Sequence, residues 1–93
     1  MPKIEVYTAS YCPYCDRAKA LLTRKGVNFT AIDIEHDATL RQECMERSGR
    51  RTIPQIFIDG FHIGGCDDLY AFDQAGNLDN LLFKQTSETP KKI

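Results

Sequence analysis

Cys12-Pro13-Tyr14-Cys15 lies between an apolar run, Ile4 to Tyr7, and a stretch with helical periodicity. That placement narrows the folds open to the chain more than any other feature. A C-x-x-C at a strand-to-helix junction, in a chain with βαβ character, reads as a site of thiol–disulfide exchange. Pro13 suits the first helical position, where its missing N–H is not needed. Cys12 then falls at the N-cap and Cys15 one turn into the helix, so the two thiols are not equivalent. Cys12 meets the positive end of the helix dipole, where unpaired N–H groups can hold a thiolate. Cys15 is deeper and is expected to be the less acidic. The competing use of such a pair is structural zinc, which needs four ligands. The remaining candidates, Cys44, Cys66, His36 and His62, form no second C-x-x-C and no H-x3–5-H. Redox chemistry is therefore the preferred reading, and no metal is expected.

The pattern around the cysteines supports an α/β chain. Lys3 to Thr8 alternates as a short strand, and Ala9-Ser10-Tyr11 is the loop that presents Cys12. Ala18, Leu21 and Leu22 recur at helical spacing between Pro13 and Lys25, with Gly26 as the stop. Asn28 to Ile34 sets Phe29, Ala31 and Asp33 against Ile32 and Ile34, which predicts a second strand. Asp37 can cap a helix running to about Arg47, ended by Ser48-Gly49. Strand, helix, strand, helix implies a parallel pair joined by a right-handed crossover. Gln55 to Asp59 and Phe61 to Ile63 form a hairpin about Asp59-Gly60. Two short helices follow, Asp67 to about Phe72 and Leu78 to Phe83. The predicted fold is thioredoxin-like: a four-stranded mixed sheet, one parallel pair and one antiparallel hairpin, flanked by helices. Residues 1–84 form one domain, and residues 85–93 read as a polar, disordered tail.

Composition excludes several function classes. The 93 residues are 42% apolar and 27% charged, with a net charge of −1. That balance gives no electrostatic footprint for nucleic acid or an anionic membrane. No apolar stretch is long enough to span a bilayer, and the start of the chain has no signal-peptide pattern. Four cysteines in a chain without an export signal point to a reducing, cytoplasmic setting.

Two further groups of residues bear on chemistry. Thr52-Ile53-Pro54 precedes a strand. A cis Pro54 would leave the Ile53 backbone free to pair with an extended thiol peptide. A trans proline that simply opens an edge strand is the alternative, and the cysteine pair tips the choice toward cis. Gly64-Gly65-Cys66-Asp67-Asp68 combines glycines that permit close backbone approach with a helix start that binds a carboxylate. Asp67 or Asp68 can accept bonds from an amine. Together these suit the zwitterionic end of a ligand such as the γ-glutamyl group of glutathione. An ordinary Gly-Gly turn with an Asp cap fits the same residues. Tyr14, at the helix start, can contact a bound tripeptide. Cys44 reads as a small buried hydrophobe, and the two histidines as solvated or hydrogen-bonded side chains.

Cys-Pro-Tyr-Cys, Thr-Ile-Pro before a strand, and Gly-Gly-Cys-Asp-Asp, in this order, resemble the dithiol glutaredoxins, with the bacterial third type the nearest pattern. The resemblance covers about residues 3 to 83. It implies that Cys12 is the nucleophile and Cys15 the resolving thiol. It also implies glutathione contacts at Tyr14, Thr52, Ile53, Pro54, Gly65, Cys66 and Asp67, with Asp68 nearby. Glutathione would act as reductant. The partners would be disulfide-containing or glutathionylated proteins, ribonucleotide reductase among them, and the protein a monomer. The thioredoxin sequence Trp-Cys-Gly-Pro-Cys is absent. One departure stands out: such glutaredoxins often carry a lysine in the segment occupied here by Ala9-Ser10-Tyr11, for which Arg41, Arg50 or Arg51 can substitute. Two other activities share these cysteines. One is a redoxin fed directly by thioredoxin reductase. The other is an iron–sulfur cluster carrier ligated by Cys12 and glutathione, which a stiff Pro13 turn disfavours.

Overall fold

The computed structural model describes residues 2–83. Its elements are β1 (Ile4–Thr8), α1 (Pro13–Arg24), β2 (Thr30–Asp33), α2 (Ala38–Ser48), β3 (Gln55–Ile58), β4 (Phe61–Gly64), α3 (Cys66–Gln74) and α4 (Asn77–Phe83). The strand order is β2-β1-β3-β4. β1 runs parallel to β2 and antiparallel to β3, and β3 pairs antiparallel with β4. This is the thioredoxin-like arrangement read from the sequence, with β1 joining the parallel pair to the hairpin. The tail expected over residues 85–93 lies outside the described residues.

Alternation along the central strands divides the core in two. Ile4 and Val6 of β1 and Ile56 and Ile58 of β3 point to one face, packed with Ala18, Leu21 and Leu22 of α1, Leu69 of α3, and Leu78 and Leu82 of α4. Tyr7 and Phe57, the intervening residues, point to the other face and meet Ile34, just after β2, and Cys44 of α2. Phe29 packs on the first face and Ile32 on the second, the alternation expected of β2. Arg47 closes the second face. Its guanidinium lies 4.1 Å from the Phe57 ring centroid and donates to the Tyr7 hydroxyl at 2.8 Å and to Glu5 at 3.1 Å.

Local signals set the ends. Asp37 caps α2 by accepting from Leu40 N at 2.9 Å, and Gly49 ends it at φ 72°. Such a positive φ favours glycine. β2 is shorter than expected because only Thr30 to Asp33 keep register with β1. α3 begins at Cys66, earlier than expected, because Gly65 takes the N-cap position. Lys25, at the end of α1, bridges Asp73 at 2.7 Å and Asp79 at 2.8 Å, tying α1 to the last two helices.

Candidate active site

The site forms where α1 starts, where β3 starts, and where β4 turns into α3. Cys12 is the N-cap of α1, and its Sγ accepts from the Cys15 N–H at 3.1 Å. Pro13 occupies the first helical position. The Cys12 sulfur also lies 3.8 Å from the Ile53 carbonyl oxygen. The loop before it is held by Glu35, whose carboxylate accepts from the Ser10 amide and hydroxyl. These bonds lower the Glu35 pKa.

Cys15 lies one turn into α1 and deeper than Cys12. It is fully buried, and burial, with a further contribution from its bond to Cys12, pushes its pKa up to about 11. Both thiols are free, as are Cys44 and Cys66.

The segment facing Cys12 has a cis Ile53–Pro54 bond, as the cysteine context led us to expect. Gln55, the next residue, is fully buried. Its Nε2 donates to the Thr52 carbonyl at 3.0 Å and to the Thr52 hydroxyl at 3.2 Å. Its Oε1 accepts from His62 Nε2 at 2.7 Å. Since that oxygen can only accept, the bond fixes the proton on Nε2 of His62.

On the far side, Asp68 Oδ2 reaches back to the Gly65 amide at 2.9 Å and receives Arg50 Nη1 at 2.8 Å. The backbone bond and the guanidinium hold the Asp68 carboxyl below its usual range. Gly64 sits at φ 122°, and a Cβ there would overlap the Asp68 carboxylate. Cys66 is buried, which pushes its pKa up, and it lies close enough to Cys12 to feel a charge there.

These pieces enclose an open groove of about 290 Å³ lined by Tyr14, Arg50, Thr52, Ile53, Pro54, Gly65, Cys66, Asp67 and Asp68. All eight residues singled out from the sequence as ligand contacts are brought together there. Arg50 is the cation that joins them. Arg41 is not available, because its guanidinium is bound to the Ile34 and Glu35 carbonyls at 2.9 Å each. Arg51 does not line the groove. Gln55 was missed by sequence reasoning. Its signal was a polar side chain in a strand whose four residues are all buried. Among the described residues, no helix is long and apolar enough to cross a membrane.

A thioredoxin-like sheet, a dithiol at the amino end of the first helix and a groove beside the outer thiol define a class of redox protein. The chain belongs to the glutaredoxin family, whose profile matches residues 4–63. It is 60% identical to glutaredoxin 3 of Escherichia coli (strain K12) over 82 residues, 88% of this chain and 99% of that protein. It is 51% identical to a glutaredoxin of Pseudomonas aeruginosa, covering 88% of this chain and 98% of that one. The solution structure of glutaredoxin from Brucella melitensis superposes with a TM-score of 0.78 at 53% identity, covering 98% and 94% of the two chains. The crystal structure of a buckwheat glutaredoxin–glutathione complex superposes with a TM-score of 0.82 at 30% identity, covering 89% of this chain and 78% of that one. Family and fold together make this a glutathione-linked thiol–disulfide oxidoreductase.

Proposed function

We propose that the protein reduces protein disulfides and glutathione mixed disulfides, with Cys12 as nucleophile, Cys15 as resolving thiol and glutathione as reductant. The observation that carries this reading is the groove lined by Tyr14, Thr52 to Pro54 and Gly65 to Asp68, which opens beside the Cys12 sulfur.

In this reading the parts of a γ-glutamyl tripeptide divide among the groove residues as follows. The ligand backbone pairs with Ile53 as an added strand. Its α-carboxylate takes the amides at the start of α3, which have no partner within the helix. Asp67 is exposed and receives the α-amine, since Asp68 is already committed to Gly65 and Arg50. Arg50 lines the groove but shares its charge with Asp68, so it replaces only in part the lysine that the Ala9–Tyr11 segment lacks.

With a glutathionylated protein, the Cys12 thiolate attacks the glutathione sulfur. The new bond is Cys12–S–SG, and the protein sulfur leaves as a thiolate that takes up a proton. A second glutathione thiolate attacks the glutathionyl sulfur, forming oxidised glutathione and returning Cys12. With a protein disulfide, Cys12 forms a mixed disulfide with one substrate sulfur. Cys15 then attacks Cys12 Sγ, and the substrate sulfur leaves reduced. Two glutathione molecules restore the dithiol and are themselves oxidised to one disulfide.

Serine variants test the assignment. Cys12→Ser should abolish both reactions. Cys15→Ser should retain removal of glutathione from a mixed disulfide and lose most protein-disulfide reduction. Activity retained in Cys12→Ser would refute the scheme.

A further inference from the structure

One buried polar group is left unexplained by the scheme above. Thr8 Oγ1 is buried and makes no hydrogen bond, and it is the one such side-chain atom among the described residues. A buried hydroxyl without a partner destabilises a fold, and a valine of the same shape removes the penalty. Each such group in a native structure calls for a reason.

Its position supplies one. Ile4 and Val6 point to the face that α1 covers. Thr8 follows them at the strand period of two, so its side chain points the same way. Cys15 is fully buried and shares the inward stripe of α1 with Ala18, Leu21 and Leu22, which pack on that face. The Thr8 hydroxyl lies close enough to the Cys15 sulfur to favour its thiolate, as does the Ala9 backbone. Burial acts in the opposite direction and is the larger effect.

We infer that the Thr8 hydroxyl is the hydrogen-bond donor that stabilises the Cys15 sulfur as it resolves the mixed disulfide. This rests on Cys15 being the resolving thiol. In the reduced thiol form the hydroxyl is idle. When Cys15 loses its proton, the hydroxyl turns to donate to the anionic sulfur. Cys15 Sγ attacks Cys12 Sγ, the Cys12–Cys15 bond forms, and the bond from Cys12 to the substrate sulfur breaks. The electron pair leaves on the substrate sulfur, which takes up a proton in place of the one Cys15 lost. Thr8 thus serves the second step of one reaction and has no part in the Cys12-only route.

The test uses Thr8→Val and Thr8→Ser in the full chain, each also combined with Cys12→Ser. In the combined variants, the rate of Cys15 alkylation against pH is followed by peptide mass spectrometry, which separates Cys15 from Cys44 and Cys66. The valine variant should alkylate Cys15 about three- to fourfold more slowly near neutral pH, with its profile displaced upward by about one unit, because the more basic thiolate is scarcer but also more nucleophilic. In the Cys12-containing pair, the ratio of protein-disulfide reduction to glutathione removal should fall by a similar factor. The serine variant should restore both readouts. A valine variant with the wild-type alkylation profile and an unchanged ratio would overturn the inference. If the valine variant does not fold, Thr8→Ala against Thr8→Ser gives the same comparison. Failure of the parent reading looks different: Cys15→Ser would then keep the full protein-disulfide rate, whatever Thr8 does to alkylation.

Discussion

Asp68→Asn is the substitution whose consequence can be worked most fully. The wild-type carboxylate accepts from the Gly65 amide at 2.9 Å and from Arg50 at 2.8 Å. Asparagine keeps a carbonyl oxygen for Gly65 and loses the charge. A hydrogen bond to a charged group contributes about 1.5–3 kcal/mol and a neutral one about 0.5–1.5 kcal/mol. The Asp68 side chain is 45% exposed and that of Arg50 47%, so solvent screening reduces the charged part. The ion pair itself contributes about 0.2–1 kcal/mol. The expected loss at neutral pH is therefore about 1–2 kcal/mol. In a domain of this size each kcal/mol moves the thermal midpoint by about 4–8 °C.

The pH dependence separates this mechanism from simple loss of packing. The folded-state pKa of Asp68 is lowered from its ordinary value of 3.8. Its stabilisation is thus fully present above 3.8 and disappears as pH falls through the folded value. Urea unfolding of wild type and the asparagine variant, from neutral pH to about pH 2.5, gives the difference directly, because the other carboxylates titrate alike in both. The gap should close at the acidic end. A gap that stays constant at every pH would refute the electrostatic account. Asp68→Ala also removes the bond to Gly65 and should cost about 0.5–2 kcal/mol more than asparagine at neutral pH, as for other lost helix caps.

Two further expectations concern the groove. Ala9→Lys supplies the lysine that the family resemblance led us to expect in this segment and should lower the apparent KM for glutathione, by less than about tenfold for an exposed contact. Ala9 is only 1% exposed, so the lysine stem must lift past its neighbours, and the thermal midpoint should fall as well. An unchanged or higher KM would count against it. Gln55→Leu removes the bonds that hold Thr52 and leaves His62 Nε2 without its acceptor. It should raise the glutathione KM several-fold while Cys15 alkylation stays as in wild type, and a wild-type KM would show that Thr52 holds its place unaided.

Much of this is legible in the amino-acid sequence. Pro13 marked the helix start, because its missing N–H is not needed at the first helical position, and the cysteine spacing then put Cys12 at the N-cap and Cys15 one turn in. Asp37 and Gly49 marked both ends of α2. Pro54 was readable only through the cysteines, since nothing local distinguishes its cis form. What escaped the sequence depends on neighbours distant in the chain. Asp68 could have served as an amine acceptor until β3 and α3 came together and placed Arg50 against it, 18 positions away in sequence. The burial of Ala9 likewise depends on the packing of the whole loop. Gln55 and Thr8 carried a visible signal, a polar residue at an inward position of a central strand, but its meaning lies in the partner each faces.

In the proposed scheme the asymmetry of the two thiols sets the order of events. Cys15 is fully buried and Cys12 keeps 7% exposure, so the scheme gives the first attack to Cys12. Its acidity is also low. In the reduced dithiol, with a pKa of about 11, about one molecule in ten thousand carries the Cys15 thiolate at pH 7, and the fraction rises once Cys12 is held in a mixed disulfide and its own contribution to that pKa is gone. A solution thiol of pKa about 8.5 is about 3% ionised, so at millimolar concentration its thiolate stands on the order of 10⁻⁵ M. Cys15 competes through position. Well-oriented intramolecular reactions reach effective molarities of about 10⁵–10⁸ M. Even an effective molarity of about 1 M gives Cys15 an effective thiolate concentration several times that of the solution thiol. Its higher basicity adds roughly another tenfold in nucleophilicity, at a Brønsted slope of about 0.4–0.5. Burial therefore costs Cys15 acidity without costing it the resolving step. It keeps the second thiol away from solution oxidants while leaving it within reach of the single sulfur it must attack.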